Sequence, residues 1–339
     1  MSTHLLTPNT QAILLLYGGL GQRRNVEPKP LTQSEYHKFA LWLHGHKMQP
    51  CDLLEQDGLL FVAEQDDSPI EYRRLFALLN RGASLALAVE GWTNQGLWII
   101  SRSDEAYPKR LKARLKQAAP AILYGVGEQN LLYGGGLVIV GSRDVDEVGV
   151  TFTGTVARRC VQEDIPVISG GARGVDSEAM LSALQAGGQV VGILAHALAK
   201  TARSKKYRDA LRTGNLVLIS ASDPKAGFHV GHAMTRNRYL YALGDWALAI
   251  SAALNTGGTW AGATDNLKRQ TIPLLVHSRK QMPAGNQALI ERGAIPLDET
   301  VLEKETSLRH WLANQESRTE SPVQRAQQLS LLEWGEGRV

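Results

Sequence analysis

The sequence predicts an α/β protein, a doubly wound and mostly parallel sheet preceded by a small helical domain. Three observations carry that prediction. Short apolar runs alternate with segments of helical spacing across residues 137–300, the signature of strand–helix–strand units in a parallel sheet. Two runs, Leu137–Val138–Ile139–Val140–Gly141–Ser142–Arg143 and Val167–Ile168–Ser169–Gly170–Gly171–Ala172–Arg173–Gly174, are β-branched, end in small residues and carry an arginine. A continuous apolar run reads as a strand buried on both faces. Residues 11–90, by contrast, read as helices.

Length and composition bound the rest. The chain has 339 residues, 43% of them hydrophobic and 21% charged, with a net charge of +4. That is a globular composition with room for two or three domains. The net charge is too small to decide function, so local clusters matter more. Cys51 and Cys160 make neither a metal-type spacing nor a disulfide framework, and reduced thiols in the cytoplasm are the expectation. Met1–Thr10 lacks a signal-peptide pattern, and the apolar run Ala12–Tyr17 is far short of a membrane span.

The elements follow in order. Gln11–Tyr17 is a short apolar helix closed by Gly18–Gly19. Thr32 with Glu35 three residues on is a capping box, opening a helix whose Tyr36, Phe39, Ala40 and Leu43 share a face. Further helices begin at Leu53–Leu54 and span Glu71–Leu79. Residues 1–95 form the helical domain and residues 96–136 a lead-in. The lead-in has a strand at Leu97–Ile100 and a basic helix at Lys109–Lys116. Residues 137–300 complete the sheet domain, with strands at 137–141, 166–169, 189–194, 216–219, 246–250 and 272–276. Helices are expected at Val148–Cys160 and Asp176–Ala186. Residues 301–339 are a short polar tail, with partial disorder or a docking helix.

Chemistry gathers where strands end. A strand that turns through glycine into a helix presents backbone N–H groups, with the helix dipole behind them, to an anion. Four segments are expected at the carboxyl edge of the sheet: Gly141–Ser142–Arg143, Ser169–Gly170–Gly171–Ala172–Arg173–Gly174, a turn at Thr235–Arg236–Asn237–Arg238, and Asn255–Thr256–Gly257–Gly258–Thr259. Glycine lets backbone approach an oxyanion, hydroxyls add hydrogen bonds, and arginine forks onto phosphate. Lys200, Arg203, Lys205, Lys206, Arg208 and Arg212 form the densest basic run, opposed only by Asp209. A groove of this kind suits a polyanion. Taken singly, each feature has a plainer explanation, since glycines make turns, arginines face solvent, and Asp176 suits a helix first turn.

No catalytic pair and no metal site stands out. His196, His229 and His232 are isolated in sequence. There is no Walker-type Gly-Lys-Ser/Thr and no Gly-x-Gly-x-x-Gly after the first strand of the pair.

The segments Val138–Arg143, Ser169–Asp176 and Arg236–Asn237–Arg238 resemble the signature of the DprA/Smf DNA-processing family. The resemblance extends upstream through Tyr107–Leu111 and Pro120–Tyr124, and downstream through Gly285–Ile290 and Gly293–Ala294. It implies an extended Rossmann-like fold, single-stranded DNA in a basic pocket, homodimerisation, and loading of RecA recombinase during transformation or recombination. It implies neither enzyme activity nor a cofactor. By position Ser142, Arg143, Ser169, Gly170, Gly171 and Arg173 line the phosphate pocket, and Lys200–Arg208 track the backbone.

Three positions depart from the family pattern. Met180 follows Ala179 where histidine is usual, Ala195–Arg203 replaces a Tyr-Pro turn, and Thr256–Gly257–Gly258–Thr259 replaces Ser-Gly-Ser. The last change leans toward nucleotide-binding relatives of the fold. The alternative function is therefore a nucleotide sensor, as in phage defence, or a nucleotide phosphoribohydrolase. A hydrolase needs an acid at the glycine loop, and only Asp265 is near.

Overall fold

The computed structural model describes residues 6–21, 27–304 and 307–319, with side chains described to residue 315. Residues 320–339 of the expected tail lie outside that set. In chain order the helical region comprises α1 (Pro8–Tyr17), α2 (Gln33–Gly45), α3 (Gln56–Ala63), α4 (Tyr72–Leu79) and α5 (Gly82–Thr93). Then come β1 (Trp98–Ser101), α6 (Lys109–Leu115), β2 (Ile122–Gly127), β3 (Leu137–Val140), α7 (Glu147–Gln162), β4 (Val167–Ser169), α8 (Val175–Gln185) and β5 (Val190–Ile193). Next are α9 (Leu198–Ala202), α10 (Lys205–Thr213), β6 (Leu216–Ser220), α11 (Val230–Leu243), β7 (Trp246–Ala249) and α12 (Gly257–Arg269). The chain continues through β8 (Leu274–His277), α13 (Ala284–Glu291), β9 (Ile295–Leu297), α14 (Glu299–Lys304) and α15 (Leu308–Thr319). The six strands expected between 137 and 276 form within two residues of their expected limits. The structure adds α5, β2, α13, β9 and α14 to the elements that the periodicity marks.

Packing groups Met1–Gly135 with Val190–Leu243 as one unit and Gly136–Gln189 with Gly244–Val339 as another. In the first unit the strand order is β1-β2-β6-β5. β1 and β6 both run antiparallel to β2, and β5 lies parallel to β6 with Val190 opposite Leu216. The helical region is built around α1. Thr7 caps it by accepting from the Thr10 N–H at 3.2 Å, and Pro8 sits in its first turn, where a missing N–H costs nothing. Ala12 to Leu16 are all at most 5% exposed. A helix apolar on every side must be wrapped on every side, and burying each of its leucines contributes roughly 2 kcal/mol. The expected capping box opens α2: Glu35 N–H donates to Thr32 Oγ1 at 3.2 Å, and Thr32 N–H to Glu35 Oε2 at 2.8 Å.

In the second unit the order is β4-β3-β7-β8-β9, and each neighbouring pair is parallel. From β3 the chain passes through α7 to β4 on one side. From β7 it passes through α12 to β8 on the other. β3 and β7 are neighbours, Leu137 facing Trp246 and Val140 facing Ala249. Connections that leave adjacent strands in opposite directions open a crevice beyond the strands' carboxyl ends. β3, β4, β7 and β8 are buried at every position, and their residues are apolar apart from Ser169 and His277 at the ends of β4 and β8.

Candidate functional site at the switch point

Two loops meet after β3 and β4. Gly141 closes β3, and a Cβ there would lie 2.5 Å from Val175 Cγ2. Only glycine lets α8 start that close to the strand end. Gly174 has φ +81, and a Cβ on it would meet the carbonyl oxygens of Ser142 and Arg143 at 2.4 and 2.7 Å. The Val175 N–H donates to the Ser142 carbonyl at 3.3 Å. The two glycine loops are therefore interlocked, and this leaves Arg143 and Arg173 exposed. Arg173 is ion-paired with Asp144. Both side chains are well solvated, so that pair contributes little and a phosphate can exchange for the carboxylate.

The individual hydroxyls behave differently from the expectation. Ser142 Oγ accepts from the Asp144 N–H at 3.1 Å and shapes its own turn. Ser169 is fully buried, and its Oγ donates to the Ile139 carbonyl at 2.7 Å. It fastens β4 to β3 and does not face outward. Gly170 is buried and Gly171 half-buried, with φ +67 at Gly171. Asp176, 4% exposed, accepts from the Ala172 N–H at 3.4 Å and so braces the 170–174 turn.

The helix starts along this edge are not equivalent. α7 is capped by Asp146, which accepts from the Gly149 N–H at 2.9 Å and is ion-paired with Arg279. The Arg279 bond, with the Gly149 bond behind it, holds the Asp146 carboxyl below its ordinary range. α8 carries Asp176 and Glu178 in its first turn. Those acids already complement the positive end of the dipole. In α12 the first turn carries no acid, and Thr256 at its N-cap makes no side-chain bond to it. Asn255, Thr256, Gly257 and Gly258 are exposed and Thr259 is half-buried. Asn255 and Gly257 both take positive φ, 58 and 80. Buried Asn286 sets the path of this loop. It accepts from the Ala252 N–H at 2.8 Å and donates to the Ile250 and His277 carbonyls, each at 2.9 Å. A Cβ on Gly285 would lie 2.2 Å from the Ala252 carbonyl oxygen, so α13 presses directly on the loop.

In the first unit, Thr235–Arg238 is not a turn. It lies inside α11. Arg236, Tyr239, Leu240 and Leu243 fall at helical spacing on one face, and that face is buried. Arg236 is only 9% exposed, Asn237 half-buried, and Arg238 exposed. The polar residues disguise a helix whose apolar pattern starts only at Tyr239. The basic run also divides, into α9 and α10. Lys205 and Lys206 are exposed at the start of α10, whereas Arg212 is roughly 10 Å farther along its axis. Tyr207 anchors α10 in the core at 1% exposure. In the lead-in helix α6, Arg110 and Arg114 donate to the Leu243 and Ala242 carbonyls at 3.5 and 3.2 Å. Both arginines help cap the end of α11.

One group had no signal beyond its residue types. His196 and Phe228 stand ring to ring at 5.4 Å, His229 and His232 at 5.1 Å, and Ser222 Oγ lies 3.1 Å from His232 Nδ1. Phe228 is 51% exposed. An exposed aromatic beside Gly227 was the available hint. Met180 is fully buried in α8 and serves the core. Among the described residues no cluster of metal-ligating side chains occurs, and no helix is long and apolar enough to cross a membrane.

The fold and this edge define a class: open, mostly parallel α/β sheets with glycine- and arginine-rich loops at a topological switch point. Residues 98–305 match the model of the family described as DNA recombination-mediator protein A, and the chain belongs to that family. It is 27% identical over 219 residues to the protein Smf of Escherichia coli (strain K12), covering 63% of this chain and 58% of Smf. It is 23% identical over 175 residues to the DNA processing protein DprA of Bacillus subtilis (strain 168), covering 51% of this chain and 58% of DprA. The alignments thus span a little over half the length of these curated relatives. DprA from Streptococcus pneumoniae superposes with a TM-score of 0.66 at 19% identity, over 88% of this chain and 98% of that one. DNA processing protein A from Helicobacter pylori, reported for its single-stranded DNA binding mode, superposes at 0.51 with 23% identity, over 64% and 94%.

Proposed function

We propose that this protein binds single-stranded DNA without catalysing a reaction on it, and that it acts in recombination and transformation as a homodimer that loads RecA. The observation that carries the DNA reading is the switch point between β3 and β7. There the interlocked loops holding Arg143 and Arg173 share one sheet edge with the acid-free first turn of α12. Arg143, Arg173 and the backbone of Gly141–Ser142, Ser169–Gly171 and Gly257–Thr259 are the phosphate contacts of this reading. In the first unit the DNA contacts of this reading are Lys205, Lys206, Asn237 and Arg238, while Arg236 lies on the buried face of α11 and supports that helix. The exposed Phe228 and its neighbouring imidazoles suit stacked bases, which single strands offer and duplexes hide. Family membership and the relatives' roles point the same way.

The test is a titration with an unstructured oligonucleotide at about 50 and about 200 mM salt, with Arg143→Ala alongside. Affinity should fall steeply with salt, and Arg143→Ala should weaken binding roughly tenfold at low salt, as loss of a charge-assisted phosphate contact does. No binding by wild type at low salt ends this reading.

The acid-free first turn of α12 favours a second reading, a mononucleotide held by its phosphate. A thermal shift with nucleoside monophosphates and none with oligonucleotide would select it. Hydrolysis of that nucleotide lacks its acid: Asp265 lies two turns into α12 and is paired with Arg269 at 2.9 Å.

A further inference from the structure

The first unit contains a contact that neither the family signature nor the phosphate loops account for. The turn after α1, Gly18 to Gly21, reaches the loop that follows β6. The Gly21 N–H donates to Asp223 Oδ2 at 3.1 Å, and a Cβ on Gly19 would lie 3.9 Å from the same oxygen. Asp223 Oδ1 accepts from the Lys225 N–H at 2.9 Å, and its carbonyl accepts from Ala226 at 2.8 Å. The turn that Asp223 builds is itself an anchor. The Ala197 N–H donates to the Ala226 carbonyl at 3.0 Å, and the Ala199 N–H to the Pro224 carbonyl at 3.1 Å. These bonds hold the loop after β5, which carries His196, and the start of α9. Ser222, one residue before Asp223, meets His232 in the first turn of α11. Behind the α1 turn, buried Arg81 donates to the carbonyls of Leu15 and Gly18, the latter at 3.1 Å. A carboxylate repels phosphate, so its place on an edge that binds a polyanion calls for a positional reason.

We infer that Asp223 is a positioning residue that couples the helical N-terminal region to the DNA-binding edge of the first unit. Through it the α1 turn, the β5 and β6 loops and the start of α11 move as one body. Occupancy of the edge is then felt at Gly18–Gly21, and disorder in that turn is felt at the edge. The inference rests on the single-stranded DNA reading above.

The experiment uses the full chain and an unstructured oligonucleotide, with hydrogen exchange followed by mass spectrometry and binding followed by anisotropy. Oligonucleotide should slow exchange in the peptide covering Gly18–Gly21 of wild type. Asp223→Ala should abolish that protection and weaken binding about tenfold, within the usual range of coupling between sites, while leaving the salt slope unchanged. Asp223→Asn keeps the shape and one acceptor for Gly21, so it should bind at least as well as wild type. If oligonucleotide leaves exchange at Gly18–Gly21 unchanged, or Asp223→Ala binds as tightly as wild type, Asp223 has no such role. The exchange result on wild type decides the matter even if the alanine variant fails to fold. Absence of wild-type binding overturns the DNA reading itself, an outcome distinct from binding that leaves the α1 turn unaffected.

Discussion

At the residue scale, the interlock of the two phosphate loops turns on two positions where a side chain does not fit. Gly141 and Gly174 follow short apolar runs, and each allows a backbone approach that a Cβ would block. Ser169 shows the limit of such reading. Its place after a strand suggested an outward donor, but its hydroxyl satisfies the Ile139 carbonyl inside the sheet. A sequence shows that a hydroxyl is present, whereas its partner depends on strands distant in the chain. Gly174→Ala tests the interlock. The substitution places a Cβ 2.4 Å from the Ser142 carbonyl oxygen in a residue at φ +81. It should destabilise the fold by about 1–3 kcal/mol, the usual cost of such strain, and displace Arg143. Urea unfolding checks this, and stability equal to wild type would show that the two loops are not locked together.

At the element scale, strands were legible because buried parallel strands are short apolar runs with few alternatives. The pattern hides α11 because the first half of that helix is polar and its buried face admits an arginine, Arg236. α15 illustrates a different difficulty, since its place depends on a side chain 145 residues earlier in the chain. Glu163 accepts from the Leu308 and Arg309 N–H groups at 2.8 Å each and from Ser307 Oγ at 2.9 Å, while Leu308 and Leu312 are buried. Of the two fates expected for the tail, a docking helix describes these residues. Burial pushes the Glu163 carboxyl up, but its hydrogen bonds to Arg309, Leu308 and Ser307 and the charge of Arg159 outweigh that and bring it below its ordinary 4.5. A depressed folded value means that the stabilisation is complete above the unfolded value and fades as pH falls below it. Glu163→Gln should therefore cost about 1–2 kcal/mol at neutral pH, in the range of charge-assisted bonds. The deficit should shrink once the medium is more acidic than 4.5. Urea unfolding of both proteins across that range measures it; a deficit independent of pH would mean that α15 does not rely on the carboxylate.

At the scale of the whole molecule, the proposed DNA binding turns on how many phosphates are engaged, because a net charge of +4 holds a polyanion only where cations are locally concentrated. A single anion pocket and an extended track differ in a measurable way. Each phosphate neutralised on a single strand adds roughly 0.7 to the slope of log affinity against log salt. A pocket built only from the switch-point loops of the second unit would engage few phosphates, and substitutions in α10 would leave its slope untouched. If Lys205 and Lys206 also contact the strand, Lys205→Ala with Lys206→Ala should lower the slope by about 1.4, twice the single-contact value. Arg143→Ala should lower it by about 0.7, and the triple variant by about 2.1, because charges that contact separate phosphates act independently. These increments are read from oligonucleotide titrations over a series of salt concentrations. A slope that falls with Arg143→Ala but not with the lysine pair would confine the ligand to the second unit and make α10 an ordinary solvated helix. Losses that add up across both sets would mean that the α10 lysines and Arg143 each contact phosphate, as an extended track requires.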